Sequence, residues 1–357
     1  MKKFILLFIL LIPLNVKGIN TSATSSILMD MDSNRILYEE NIHNVRSVAS
    51  ISKIMTAVIA IESGKLDDKI TVGEEINSAY GSGIYIKVGE VLTLRDLLYG
   101  LMLRSGNDAA LAIANYVGGS VEEFVKLMND KAKKLKMTNT TFNNPSGLDQ
   151  DKGNYSTAYD MAILTSYAMK LEEYKKITST KKYTLTTNKN AYVWINKNKL
   201  LSLYKYTTGG KTGFTEIAKR TLVTTATKDN INLVVVTLND GNDWQDHQNL
   251  FEYGFNNYTN IQLLEKGNIN IYSEEYYDDY NIYVKNNFNY LIENNEEDSV
   301  IFKYELEKKR KIKNGDKIGV LNIYIGDKKI HEEKIYVKER TQSKNVFFRV
   351  KEWIISL

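Results

Sequence analysis

Ala49-Ser50-Ile51-Ser52-Lys53-Ile54-Met55-Thr56 opens an apolar stretch with a helical period. Met55, Val58, Ile59 and Ala60 supply a buried face, so residues 48–62 read as a helix with Ser50 in its first turn. A serine and a lysine three residues apart on a helix share a face, with Cβ atoms about 5–6 Å apart. A serine hydroxyl is a weak nucleophile until a base takes its proton. The three histidines, His43, His247 and His331, are widely separated and form no metal-binding or triad pattern, which leaves lysine as the base. An amine serves as a base near neutral pH only if burial or a nearby cation lowers its pKa. Ile51, Ile54 and Met55 offer the apolar setting, and the helix start offers the Ser50 backbone N–H to a developing oxyanion.

The spacing by itself is weak evidence. Ser179-Thr180-Lys181-Lys182 and Ser202-Leu203-Tyr204-Lys205 repeat it in polar, broken segments. Two further motifs single out Ser50. Ser105-Gly106-Asn107 follows residues 93–102, a helix with Thr93 as N-cap and Leu94, Leu97, Leu98 and Leu101 on one face. Gly106 is expected to take the left-handed conformation at its end. The Ser105 hydroxyl can relay a proton, and the Asn107 amide can both donate and accept. Ser343-Lys344-Asn345 also fits this pattern, so order matters more than the match. Lys211-Thr212-Gly213 occurs once. It offers positive potential, a hydroxyl for a carboxylate, and room for a peptide backbone along a strand edge.

The rest of the composition narrows the field. The 357 residues suggest about two domains, and a net charge of +4 is too small to argue for nucleic acid. The absence of cysteine excludes disulfides, thiolate catalysis and Cys-ligated metals; no metal or cofactor is implied. Residues 1–18 have the shape of a secretory signal peptide: Lys2 and Lys3, then an apolar run to Leu14, then Val16-Lys17-Gly18. An uncleaved anchor is the alternative, and either carries the bulk of the chain out of the cytoplasm.

Residues 26–38 read as a hairpin around Asp32-Ser33-Asn34, and residues 107–117, 121–135 and 157–169 as helices. Asn143-Asn144-Pro145-Ser146-Gly147 is a loop. The β-branched runs 183–187, 219–227 and 231–238 read as strands, followed by a closing helix at 244–255. Strands at both ends with helices between them make residues 19–258 an α+β domain whose sheet is completed by its two ends. Residues 262–340 read as a small all-β domain with turns at Asn294-Asn295, Asn314-Gly315-Asp316 and Gly326-Asp327. The basic run within 307–313 reads as a solvated strand or loop. Residues 345–357 place Val346, Phe347, Val350, Trp353, Ile354 and Leu357 on one helical stripe beside Lys344, Arg349 and Lys351, which fits peripheral membrane contact, with a helix docked on the second domain as the alternative.

With these three motifs in this order, the chain resembles the serine-type D-Ala-D-Ala carboxypeptidases, the low-molecular-mass penicillin-binding proteins of the β-lactamase/transpeptidase-like superfamily. Further stretches carry the likeness: Ile84-Tyr85-Ile86-Lys87-Val88-Gly89-Glu90, Leu94-Arg95-Asp96-Leu97-Leu98-Tyr99-Gly100, Phe142-Asn143-Asn144-Pro145-Ser146-Gly147-Leu148, Tyr155-Ser156-Thr157-Ala158-Tyr159-Asp160 and Gly210-Lys211-Thr212-Gly213-Phe214-Thr215. The resemblance implies an antiparallel sheet with helices on both faces and a helical subdomain. It implies that Ser50 attacks the stem peptides of peptidoglycan, that Lys53 takes the proton, and that the Ser50 and Phe214 N–H groups form the oxyanion hole. Ser105 and Asn107 then assist the leaving D-alanine, and Lys211, Thr212 and Gly213 hold the terminal carboxylate. β-Lactam antibiotics follow as covalent inhibitors, with no cofactor and no nucleic acid.

A D,D-endopeptidase or transpeptidase on the same site is the nearest alternative, and a catalytically weak cell-wall-binding protein a more distant one. A β-lactamase is disfavoured because no Glu-containing loop offers to activate the deacylating water. Lys219 stands where many relatives have glycine, and Phe214 where some have histidine. Arg220 reads as a strand-surface residue, with a second carboxylate anchor as the alternative. Asp160 and His247 read as capping or packing residues, and Asp108 as a cap of the helix after Asn107.

Overall fold

The β-branched runs find each other across the whole first domain. Lys219–Lys228 and Ile231–Leu238 form an antiparallel hairpin, turned by Asp229 and Asn230, both with positive φ. Ser25–Asp30 pairs with Ile231–Leu238, from Ser25↔Leu238 to Asp30↔Leu233, and on its other side with Ile36–Glu40. Thr207–Thr215 joins Lys219–Lys228 and is the opposite edge of this five-stranded antiparallel sheet. The sheet is thus assembled from both ends of the domain, as the alternation of strands and helices implied.

The computed structural model describes residues 19–149, 152–271 and 275–339. Its contacts divide the chain into two units that part between Asn256 and Asn257. The leader expected at 1–18 and the amphipathic helix expected at 345–357 lie outside the described residues. No described helix is long and apolar enough to cross a membrane.

In the first unit, every residue of Ser25–Asp30 is buried, because both sheet faces are covered. Ile27, Met29, Val234 and Val236 join the core made by the central helices. On the other face Gly254 of the helix Asp243–Asn257 sits against Leu28 and Leu233. Lys53–Glu62 is the central helix, and its first eight residues are all buried. A helix apolar on every side is one enclosed by others. Around it lie Leu94–Tyr99, Asn107–Gly118, Val121–Lys134 and Ala158–Ala168. Thr93 is the N-cap expected of it, in a reciprocal capping box with Asp96.

Two local expectations change. Residues 49–52 form a 3₁₀ turn, and the α-helix begins only at Lys53. The helix expected over 93–102 is α-helical only for Leu94–Tyr99, and Gly100–Arg104 widen into a π turn. The strand expected at 183–187 is present as Lys182–Thr186 and forms a hairpin with Ala191–Ile195. The buried Glu90 fixes this hairpin, accepting from Tyr192 Oη (3.0 Å) as well as from Thr187 Oγ1.

The second unit has its own core of Leu264, Ile282, Val284, Ile318, Leu321, Ile323, Ile335 and Val337. Its main sheet has five antiparallel strands: Gly267–Asn268, Tyr280–Val284, Lys328–Glu339, Lys317–Ile325 and Val300–Leu306. Tyr258–Leu264 pairs with Phe288–Glu293 beside it. Asn295, Gly315 and Gly326 take the positive φ that their turns require. Lys308, Arg310 and Lys311 are exposed in the loop between two strands, the solvated setting expected of that basic run.

Candidate active site

Each of the three motifs is delivered by a residue in a sparsely populated backbone region. Ala49, just before Ser50, has φ 49°; Ser105 has φ 65°; Gly210, just before Lys211, has φ 144°. Such conformations cost about 1–2 kcal/mol for a non-glycine residue and persist where the surroundings over-determine them. The left-handed residue expected at Gly106 is therefore Ser105. The π turn Gly100–Arg104 shifts the helix end by one residue, and Gly106 takes φ −60°. Gly106 is needed for space instead: a Cβ there would lie 2.8 Å from Asp108 Oδ1.

Lys53 is completely buried. Its Nζ lies 3.0 Å from Ser50 Oγ, 2.7 Å from Asn107 Oδ1 and 2.5 Å from the Ser146 carbonyl oxygen. The Asn107 amide is oriented by its Nδ2, which donates to the Tyr80 carbonyl (2.6 Å). Asn107 Oδ1 and Ser146 O can only accept. A neutral amine has two N–H groups, and these two acceptors use both. Its lone pair is left for the Ser50 hydroxyl. Burial pushes the Lys53 amine down to about 7, helped by the Lys197 cation and opposed by Asp108. The geometry and the titration both make Lys53 able to take a proton.

Lys211 is equally buried, and its Nζ donates to Ser105 Oγ (3.0 Å) and to the Thr212 carbonyl (2.7 Å). Burial, then Lys53 and Lys197, hold it well below the usual amine range. Gly213 runs close beneath the nucleophile: a Cβ would lie 3.0 Å from the Ser50 backbone nitrogen and 2.4 Å from Thr221 Oγ1. Ser50, Ser105, Thr212, Gly213 and Phe214 line one cavity of about 290 Å³, with Ser82, Lys197 and Arg220. Phe214 is exposed at its rim. All eight predicted site residues thus meet at the cavity or directly behind it. A larger cavity, about 680 Å³, lies by Met31, Ser166 and Thr208 and holds none of them.

Arg220 is not a plain strand-surface arginine. Its guanidinium is gripped by the buried Asp243 through Nε (3.1 Å) and Nη2 (2.5 Å), and lies 5.6 Å from the Trp244 ring. Asp108 also differs from expectation. Its carboxylate accepts from the Ile84 (3.0 Å) and Tyr85 (2.7 Å) amides and so tethers a neighbouring loop, while Gly106 stands at the helix N-cap. Asp160 and His247 are structural, as read. Asp160 accepts from the Asn139 amide (3.0 Å) and Thr140 Oγ1 (2.7 Å). His247 is buried between Thr224 and Thr237 and pushed down to about 3. Ser179 and Ser202, the rival serines, are exposed on the surface.

Sequence reasoning missed the Ser146 carbonyl as a partner of Lys53. Asn144 Oδ1 accepts from the Ser146 (3.1 Å) and Gly147 (2.6 Å) amides, and Thr56 Oγ1 donates to the Pro145 carbonyl (2.7 Å). Gly147 has φ 79°, and a Cβ there would lie 2.0 Å from the Ala49 carbonyl oxygen. The available signal was the Asn-Asn-Pro-Ser-Gly loop itself, whose glycine allows the loop to press on the nucleophile turn. It also missed Lys197 and Ser82, which carry no motif.

Residues 14–242 match the D-alanyl-D-alanine carboxypeptidase family, and residues 258–343 match the C-terminal domain of penicillin-binding protein 5. The D-alanyl-D-alanine carboxypeptidase DacF of Bacillus subtilis is 40% identical over 220 residues, 60% of this chain and 56% of that protein. DacC of Escherichia coli, of the same description, is 30% identical over 95% of this chain and 89% of its own length. The crystal structure of penicillin binding protein 5 from Haemophilus influenzae superimposes with a TM-score of 0.76 at 28% identity, covering 91% of this chain and 98% of that one.

Proposed function

The chain belongs to the D-alanyl-D-alanine carboxypeptidase family, and from that premise we propose that it is a serine peptidase acting through Ser50 on the terminal D-Ala-D-Ala of peptidoglycan stem peptides. The carrying observation is a buried amine 3.0 Å from a hydroxyl, with both its other hydrogen-bonding directions filled by acceptors. Lys53 takes the Ser50 proton as the oxygen bonds to the penultimate D-alanine carbonyl. The Ser50 and Phe214 amides stabilise the oxyanion. As the C–N bond breaks, the proton passes toward the leaving amine by way of Ser105, which Lys211 touches. Water then cleaves the ester, and Lys53 is again the base.

Lys211, Thr212 and Arg220 receive the substrate's terminal carboxylate beside Gly213. An arriving anion favours the charged form of Lys211, so carboxylate binding draws in a proton. β-Lactams acylate Ser50 because they present the same carbonyl and carboxylate. We further assign residues 19–258 to the peptidase domain, residues 1–18 to export, and residues 345–357 to peripheral membrane contact outside the cytoplasm. Mass spectrometry after penicillin treatment tests the centre of this reading. One adduct on the peptide with Ser50 is expected, and Ser50→Ala should lose both adduct and D-alanine release. An adduct at Ser179 or Ser202, or D-alanine release by Ser50→Ala at the unmodified rate, would refute it.

A further inference from the structure

Lys197 belongs to none of the three motifs, yet it is the lysine that lines the catalytic cavity, in front of the buried Lys53 and Lys211. The fold brings it there by tertiary contacts. It follows the hairpin strand Ala191–Ile195, and its backbone N–H donates to the Leu103 carbonyl (3.0 Å), two residues before Ser105. Next to it, Asn196 Nδ2 donates to the Thr178 (3.3 Å) and Thr180 (3.0 Å) carbonyls. The Lys197 amine then donates to Ser82 Oγ (3.1 Å). The Ser82 carbonyl accepts from the Asn107 backbone N–H (2.8 Å), and the Asn107 side chain holds Lys53 through Oδ1.

Among the described residues no carboxylate forms an ion pair with Lys197. The one acidic group of the cavity, Asp243, is taken by Arg220. We propose, on the reading of Ser50 and Lys53 given above, that Lys197 is a positioning residue which adjusts the pH at which Ser50 becomes nucleophilic: its ammonium, seated on Ser82, adds to burial in favouring the neutral form of Lys53. The charged groups that act on Lys53 are Lys197, which opposes its protonation, and Asp108, which favours it; Lys211 is itself held well below the amine range by burial and then by Lys53 and Lys197. Burial, and then the Arg104 cation, lower Lys197 in turn. A cation beside a base lysine is a general means of freeing its lone pair. Because Lys197 as a residue is exposed, solvent screens its field, and the effect is modest and sensitive to salt.

The test is the rate of Ser50 acylation by a fluorescent penicillin, measured from about pH 5.5 to 9.5 at low and high salt on the full chain, Lys197→Met and Lys197→Arg. In Lys197→Met the acid limb should move up by roughly half a pH unit, a loss of about threefold on that limb. The alkaline plateau should stay within about twofold of the parent, and the displacement should shrink at high salt. Lys197→Arg should keep the parental limb. An unmoved limb in Lys197→Met, or a loss equal at every pH, overturns the proposal, since a packing or ligand contact would not move the titration. Failure of the parent itself to label Ser50 overturns the reading of the site, and the proposal with it.

Discussion

In the role proposed for Lys53, one residue serves catalysis against folding. Its amine titrates at about 7 in the folded chain and near 10.4 when unfolded. Between those values the unfolded state carries a proton that the native state lacks, so stability rises with pH across that window. Below about pH 7 both states are protonated and the cost of the buried charge is complete. On the proposed mechanism the same titration orders catalysis, since only the neutral amine accepts the Ser50 proton. The acid limb of kcat/KM is therefore expected near pH 7. Lys53→Met separates the two effects. Acylation should fall by about 10²–10⁴, the usual share of a general base. The thermal midpoint at pH 7 should rise by a few degrees, and the gain in stability from pH 7 to 9 should flatten. A melting series at the two pH values beside a penicillin acylation assay checks this. A variant no more stable than the parent at pH 7 would mean that the network around Lys53 already compensates its burial.

At the scale of elements, the strained turns are the instructive parts. Lys219 opens its strand with φ 59°, its side chain about half exposed and in a loose pair with Glu216. Such a surface pair contributes little, while the left-handed backbone costs about 1–2 kcal/mol. Lys219→Gly should therefore raise the thermal midpoint by about 1–3 °C after the entropy of glycine is deducted; an unchanged or lower midpoint in calorimetry would show that the strain is relieved elsewhere. The helix Asp243–Asn257 is pinned to the sheet through His247, held neutral between two threonines. Its folded pKa of about 3 lies below the unfolded value near 6.5. Unfolding then takes up a proton throughout that range, and stability falls as pH drops through it. His247→Gln should weaken the loss seen between urea melts at about pH 7 and about pH 4.5; an identical loss would place the acid lability in other groups. What was legible in sequence follows the same physics. β-Branched runs, the Thr93 cap and the apolar period of Lys53–Glu62 are written in side chains. The left-handed backbone at Ala49 and Ser105 is not, since neither residue type announces it. Nor is the Ser146 carbonyl, because a backbone oxygen has no residue signature, nor Lys197, whose place depends on a hairpin far along the chain.

For the whole molecule, the decisive feature is that hydrophobic burial is gathered into separate sets. The first unit closes its core around the central helix Lys53–Glu62. The second packs Ile282, Ile318, Ile323, Ile335 and Val337 among its own strands. Cooperativity follows the contacts that are lost together, so each core should melt as its own transition. Unfolding enthalpy near 60 °C scales with residue number at about 0.7 kcal/mol per residue. The described part of the first unit, residues 19–256, is close to three times the length of that of the second, residues 257–339. Calorimetry of the full chain is therefore expected to show two endotherms with enthalpies in a ratio of roughly three to one. Trp194 and Trp244 lie in the first unit, so fluorescence weighted by them should follow the larger endotherm. Acylation of Ser50 binds the native state of that unit alone and should raise the same transition. A single endotherm whose calorimetric and van't Hoff enthalpies agree would mean that the two cores fold as one cooperative body.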